Sequence, residues 1–325
     1  MSDVSPPSET FVSVATPAFE RPPFWRRIFA FIIDGIVLGI GCSIVALFAG
    51  DWLSALGPWG RLFGGVIGVI YFGIAASPLC GGQTVGKRIL QIVVLRPDGT
   101  NLSMAAAFSR ATILMLPAAC NGFAVAMTSW IVPTIASVLV FGLGGSILYL
   151  FLFNRTTRQA THDFAARSIV TRLQNGRPVP INGTVWRSHF IILAVLLVIA
   201  AAATGLGLLT VRRKFDFDAL TKTQNDVASL TQTSNVQVFY GSTSRLHGSQ
   251  DTWIRTSVMT YSPRPNPEHL ANSIAAVVLR DIPTARSRST IVITLTSGYD
   301  VMFASGWRTQ SWSHTPAEWQ ARTGK

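Results

Sequence analysis

The chain has 325 residues, 49% of them hydrophobic and only 13% charged, with a mean hydropathy of +0.38. Soluble domains carry about one-quarter charged residues, so the composition excludes an ordinary soluble enzyme as well as a disordered or collagenous chain. The net charge of +12 comes from 27 Lys+Arg against 15 Asp+Glu. A positive-inside bias explains it better than nucleic acid, because Arg155, Arg158, Arg167, Arg172, Arg177 and Arg187 share one segment between two apolar stretches.

Residues 1–24 are rich in Ser, Pro and Thr and lack the charge pattern and cleavage site of a secretory signal, so they read as a disordered cytoplasmic tail. Five apolar runs follow: Ile28–Ala49, Leu62–Leu79, Met104–Met127, Trp130–Phe153 and Phe190–Val211. Each approaches the roughly 20 residues that a helix needs to cross a bilayer. Met104–Met127 is the weakest, because it carries Arg110, Pro117 and Asn121. With the N-terminus inside, residues 1–27, 80–103 and 154–189 are cytoplasmic and hold 3, 3 and 6 Lys/Arg, whereas the short outer loops hold Arg61 alone. Residues 212–325 then lie outside. Arg212-Arg213-Lys214 runs against that assignment, and a surface-lying Met104–Met127 reverses it.

The expected architecture is an α-helical integral membrane protein of about five transmembrane helices with a small C-terminal α+β extramembrane domain. It divides into a tail (1–24), a transmembrane domain (25–173), a basic cytoplasmic linker (174–187), an anchor (188–211) and an extracytoplasmic domain (212–325). In that last domain, Phe217–Leu230 and Pro267–Leu279 carry helical spacing, and Val236–Tyr240 and Trp253–Tyr261 alternate as strands. Ile291–Thr296 and Tyr299–Ser305 flank Ser297-Gly298, which reads as a two-residue hairpin turn. Trp307, Trp312 and Trp319 end the domain in a core or partner-facing role.

Few residues bear chemistry. Arg27 and Asp34 are seven apart, so they share a helix face about 10 Å apart, which places Asp34 two turns inside the hydrocarbon. Arg110 sits at similar depth and is the natural partner of Asp34. Two roles fit this carboxylate: an ion pair that fixes packing, or a group that handles protons or cations. Gly81-Gly82-Gln83-Thr84-Val85-Gly86-Lys87-Arg88 matches most of a phosphate loop, but Arg88 stands where a hydroxyl must bind magnesium, so a glycine-rich membrane exit is the better reading. Beyond it, Ile92–Leu95 and Thr100–Ser103 read as two strands around the turn Arg96–Gly99. His162-Asp163 in the basic segment is a pair suited to shuttling protons, since histidine ordinarily titrates near neutral pH. Gly35/Gly39 and Gly64/Gly68 are GxxxG pairs for close helix contact. Cys42, Cys80 and Cys120 form no disulfide framework. No catalytic constellation, metal cluster or cofactor motif is present, so no enzyme, metal or cofactor is expected.

In order, Arg26-Arg27…Asp34, Gly81-Gly82-Gln83-Thr84-Val85-Gly86-Lys87-Arg88, Ser109-Arg110 and Arg158-Gln159…His162-Asp163 resemble the motifs of the RDD family of bacterial membrane proteins over residues 20–173. The resemblance makes Arg27, Asp34 and Asp163 the counterparts of the arginine and two aspartates for which the family is named. It implies a multi-pass protein of the bacterial plasma membrane that transports cations or other small ligands, with sodium–proton antiport among the activities associated with the family. Asp34 is then the ion-binding carboxylate, tuned by Arg110 and Arg27, with His162 and Asp163 on the pathway. The alternative is a non-transporting anchor that presents the outer domain. The expected partners are the lipid bilayer, further copies of the chain and an envelope protein for the outer domain; nucleic acid is not expected.

Overall fold

A computed structural model describes residues 23–121, 131–181, 183–214, 217–231, 236–244, 250–260 and 266–324. The proposed tail up to residue 22 and part of the third apolar run therefore lie outside the described residues.

The first apolar run becomes α1, Phe24–Ala55, 32 residues with a kink at Ala49, where the backbone leaves the helical region; the stretch before the kink runs about 38 Å and still exceeds the hydrocarbon core of about 30 Å. Next come α2 (Gly60–Ala76), α3 (Val85–Ile89), β1 (Ile92–Leu95) and α4 (Met104–Cys120). The fourth run is a continuous helical path: α5 (Ile131–Ser137), a π-helical stretch (Val138–Leu143) and α6 (Gly144–Phe153). After it stand α7 (Thr161–Ala165), β2 (Ile169–Gln174), β3 (Arg177–Pro178) and the long α8 (Ser188–Lys214). Among the described residues, three helical segments are long and apolar enough to cross a membrane: Phe24–Ala55, Thr134–Phe153 and Ser188–Gly207. The other two, α2 and α4, are apolar but have 17 residues each, about 25 Å of helix. The described residues thus hold five apolar helical segments, three of them of full spanning length.

Exposure follows the composition. Phe29, Ile32, Ile36, Ile40, Ile44 and Phe48 of α1 are exposed, an extended apolar surface of the kind that lipid covers in a membrane protein. Helix contacts use small residues. A Cβ on Gly65 would stand 2.6 Å from the Ala119 methyl, and one on Gly73 2.9 Å from the Phe108 ring, so the α2 glycines let α4 side chains pack directly on its backbone.

At the basic end, β1 pairs antiparallel with β2, with Ile92 opposite Arg172. This corrects the expected pairing with Thr100–Ser103. Ser103 instead accepts a hydrogen bond from the Ala106 N–H and caps α4, so the chain must turn into a helix there. β2 continues through Asn175-Gly176, both at positive φ, into β3. Part of the expected basic linker is therefore a tight hairpin.

The C-terminal domain contains α9 (Phe217–Thr231), β4 (Val236–Ser244), β5 (Gln250–Thr260), α10 (Pro267–Asp281), β6 (Thr290–Asp300), β7 (Ser305–His314) and α11 (Pro316–Thr323). The sheet order is β4-β5-β6-β7, with β5 and β6 parallel and the outer pairs antiparallel. A parallel pair needs a crossover, and α10 supplies it. Ile254, Val258, Ile291, Ile293 and Leu295 alternate onto one sheet face, where Ala271, Ile274, Val278 and Trp319 cover them.

Two expectations change here. The β6 strand runs straight through Ser297-Gly298, and the chain reverses at Val301–Ala304. Gly298 has φ +142, and a Cβ there would fall 1.9 Å from the Gly306 carbonyl oxygen. Glycine thus serves a close cross-strand approach rather than a turn. Beyond residue 305, a full strand and the helix α11 extend the domain.

Candidate functional site: a charged chamber at the basic end

Asp163 is the hub of the charged groups. It lies in α7 with its side chain wholly buried. Its Oδ1 accepts from Arg110 Nε at 2.9 Å and Nη2 at 2.7 Å, and its Oδ2 from Arg27 Nη2 at 2.7 Å. The Ala160 N–H and the Ser168 hydroxyl also donate to it, at 3.1 and 3.3 Å. Burial pushes this carboxyl up, but His162, Arg110 and Arg27 outweigh burial and hold it well below the usual carboxylate range. The second Arg27 nitrogen donates to the Arg158 carbonyl at 2.5 Å, and its guanidinium lies 5.0 Å from the Phe151 ring. The ends of α1, α4 and α6 are thereby tied to one carboxylate.

Asp34 is 1% exposed, and its partner is not Arg110, which corrects the expected pairing. Its Oδ1 accepts from the Tyr71 hydroxyl and the Gly86 N–H, both at 2.8 Å, and its Oδ2 from the Thr84 hydroxyl at 2.6 Å. The physical reason lies in the glycine-rich motif. Thr84 caps α3 by accepting the Lys87 N–H and donates its own proton to Asp34. Gly86 brings α3 against α1 so closely that a Cβ would meet the Ala30 carbonyl oxygen at 2.2 Å. Gly82, at φ +77, would put a Cβ 2.3 Å from the Val94 oxygen. Gly81 ends the preceding turn in a left-handed conformation, and Gln83 donates to the Ile92 carbonyl at 2.9 Å. The motif thus folds a short helix onto Asp34, with no strand-to-helix phosphate cradle.

Asp34 lines a cavity of about 250 Å³ together with Arg27, Lys87, Arg110 and His162 and with Phe31, Phe72, Leu114 and Phe151. Lys87 Nζ lies 5.6 Å from the Phe72 ring. Burial lowers its pKa most and Arg110 lowers it further; Asp34 opposes them, and the ammonium comes down to about 7. Burial likewise pushes His162 down to about 3 despite Asp163 beside it, so its imidazole is neutral at ordinary pH. Its Nε2 stands 3.5 Å from Asp163, and its buried Nδ1 has no hydrogen-bond partner among the described residues.

Of the sequence-derived candidates, Arg27, Arg110, His162 and Asp163 come together, and Asp34 joins them across the cavity. Lys87 and Tyr71 are the additions. In the sequence Lys87 reads only as part of a loop, and Tyr71 carries no signal because a tyrosine in an apolar helix usually packs. The GxxxG glycines behave otherwise than expected. Gly35 has nothing within 4 Å of a built Cβ, and Gly39 and Gly64 meet the β6–β7 tip rather than each other's helix. Gly68 faces both Met115 and Phe303 of the tip. Among the described residues, no three His, Cys, Asp or Glu are placed to hold a metal ion.

Apolar helices sheathed in exposed hydrophobics, with arginines and aspartates paired at one end, define a polytopic helical membrane protein. Residues 21–167 match the model of the RDD family. This part of the chain is an RDD family domain, and a C-terminal extension follows it. No curated protein and no solved structure matches the chain.

Proposed function

We propose that this protein is a transporter of small ions in which a proton on Lys87 and a metal cation at Asp34 exclude one another, with the Asp163 cluster as a fixed frame. The supporting observation is the chamber itself: five ionisable side chains line one cavity between apolar helices. Charged groups at such depth are expensive and ordinarily line a pathway. Arg27 and Arg110 are committed to Asp163, which leaves Lys87 and Asp34 facing the same space. A protonated Lys87 repels a metal cation from Asp34, and a neutral Lys87 admits it. Proton loss and cation entry are thereby made mutually dependent. The positive-inside bias orients the basic end towards the cytoplasm of a bacterial cell and the C-terminal domain outwards.

The test is cation-driven proton movement in proteoliposomes, with sodium or potassium added against an imposed pH gradient. Wild-type protein is expected to show flux, and Asp34→Asn and Lys87→Met to lose it while remaining folded and inserted. Absence of flux with every cation, from folded wild-type protein, removes the transport reading. A second reading then stands: a membrane anchor that presents the outer domain to an envelope partner. One observation favours it, since Asp34 already accepts three hydrogen bonds and therefore has a structural role in holding α3.

A further inference from the structure

The β6–β7 tip does not end in solvent. Val301, Met302, Phe303 and Ala304 enter the bundle between α1 and α2, from the end opposite the charged chamber. Val301 is 1% exposed and packs with Cys42 and Leu53 of α1, while Met302 and Phe303 pack with Leu38, Phe72 and Met115. The α2 helix receives the tip on a row of glycines. A Cβ on Gly60 would lie 2.5 Å from the Asp300 oxygen, and one on Gly64 1.9 Å from the Val301 oxygen. Gly39, midway along α1, stands 3.2 Å from the Phe303 oxygen by the same measure. Any side chain at Gly64 therefore displaces the tip.

Irregular backbone at membrane depth is tolerated only where protein encloses it and its polar groups are satisfied. Here the Val301 N–H donates to Ala304 at 2.9 Å, the Phe303 N–H to Val301 at 2.7 Å, and the Met302 N–H to the Asp300 side chain at 2.8 Å. The other Asp300 oxygen accepts from Arg61 at 2.6 Å, and Arg61 also donates to the Ala118 carbonyl at the end of α4. Phe72 and Leu114 belong to the cluster that holds the tip and also line the charged chamber. The wall between chamber and outer side is thus built partly from the outer domain.

We propose that the β6–β7 tip is a withdrawable stopper: seated, it closes the outer side of the RDD domain's chamber, and withdrawn, it leaves a glycine-lined groove leading to that chamber. The proposal rests on the transport reading for the chamber's role. The attachment suits withdrawal, because it consists of four apolar residues and one ion pair whose side chains are 25% and 23% exposed.

Cys42 reports on the seat independently of transport. In full-length protein carrying Cys80→Ser and Cys120→Ser, Cys42 is labelled with a small methanethiosulfonate, and proton flux is measured on the same proteoliposomes. Gly64→Leu expels the tip from the membrane side, and Phe303→Gly weakens it from the domain side. Both variants are expected to raise the labelling rate roughly tenfold or more, as an opened local contact does, and to raise proton flux. Arg61→Asp is expected to raise labelling as well, with Asp300→Arg added to it restoring protection. Labelling within about twofold of wild type in both tip variants overturns the stopper, whatever the flux. Raised labelling with flux unchanged from an active wild type also overturns it and leaves the transport reading intact. An inactive wild type whose tip variants label quickly but remain without flux removes both.

Discussion

Two buried carboxylates show how differently the two halves of this molecule are held. Asp163 in the membrane domain and Asp281 in the C-terminal domain both have fully buried side chains and two cationic partners. The partners of Asp163, Arg27 and Arg110, are only 8% and 4% exposed, whereas those of Asp281, Lys222 and Arg280, are 61% and 59% exposed. In the C-terminal domain the cations stay in water and an apolar core under the sheet supplies the stability. In the bundle, lipid is as apolar as the side chains it meets, so hydrophobic contact between helices drives little. There, close packing on glycine and buried polar bonds must fix the arrangement.

The largest expected effect breaks the membrane half of this comparison. Asp163→Asn leaves two buried guanidiniums without a counter-charge, at a cost of about 3–5 kcal/mol. A large fall in the thermal midpoint in detergent micelles is expected; an unchanged midpoint means the cluster contributes nothing to holding the bundle. In the C-terminal half the comparable change is apolar. Trp319 is fully buried and its indole N–H donates to the Ile291 carbonyl at 3.0 Å. Trp319→Ala is expected to cost about 3–5 kcal/mol, seen as faster amide exchange across β5, β6 and α10. Exchange that accelerates equally in α2 and α4 contradicts the division into two separately stabilised halves.

An effect that is smaller at each pH unit, though comparable over the whole range, sharpens the account of Lys87. Its folded pKa of about 7 lies below the ordinary lysine value of 10.5. Between those values the unfolded chain holds a proton that the folded chain lacks. Stability therefore rises as pH climbs from about 7 to 10.5, and below pH 7 this dependence vanishes. The slope is at most about 1.4 kcal/mol per pH unit for one proton. Lys87→Met is expected to abolish it in unfolding followed from pH 6 to 10. An identical slope in the variant locates the titration elsewhere.

The sequence revealed most of the fold, because long apolar runs and helical spacing are properties of short windows. The RDD motifs were legible as a set, yet their pairing was not. Depth along a helix placed Arg110 beside Asp34, but a side chain chooses among all neighbours in space. Asp163, brought in by β1–β2 pairing and α7, took both arginines, and the Thr84–Gly86 loop took Asp34. The tip at Val301–Ala304 was illegible for a similar reason. Ser297-Gly298 has the composition of a turn, and only the placement of Gly306 opposite Gly298's neighbour Tyr299 and the glycine row on α2 show why the reversal falls later. Two further features are local enough to be legible in the sequence: Asn175-Gly176, a standard hairpin pair, and Thr315-Pro316-Ala317-Glu318, which forms a capping box at the start of α11.

The smallest expected effect tests whether burial, rather than pairing itself, separates the two halves. Arg322 of α11 donates to Glu268 at 2.9 Å, the same distance as Arg110 Nε to Asp163, but its two side chains are 41% and 58% exposed. If geometry decided the energy, the two pairs would matter alike. In water the gain is screened and offset by ordering two long side chains, so Arg322→Gln is expected to change stability by no more than about 0.5 kcal/mol. The change is best read from amide exchange in α10 and α11, with 0.15 M and 1 M salt giving the same result within error. A cost approaching that of Asp163→Asn contradicts the role assigned to burial, and the contrast between the two halves would then require another cause.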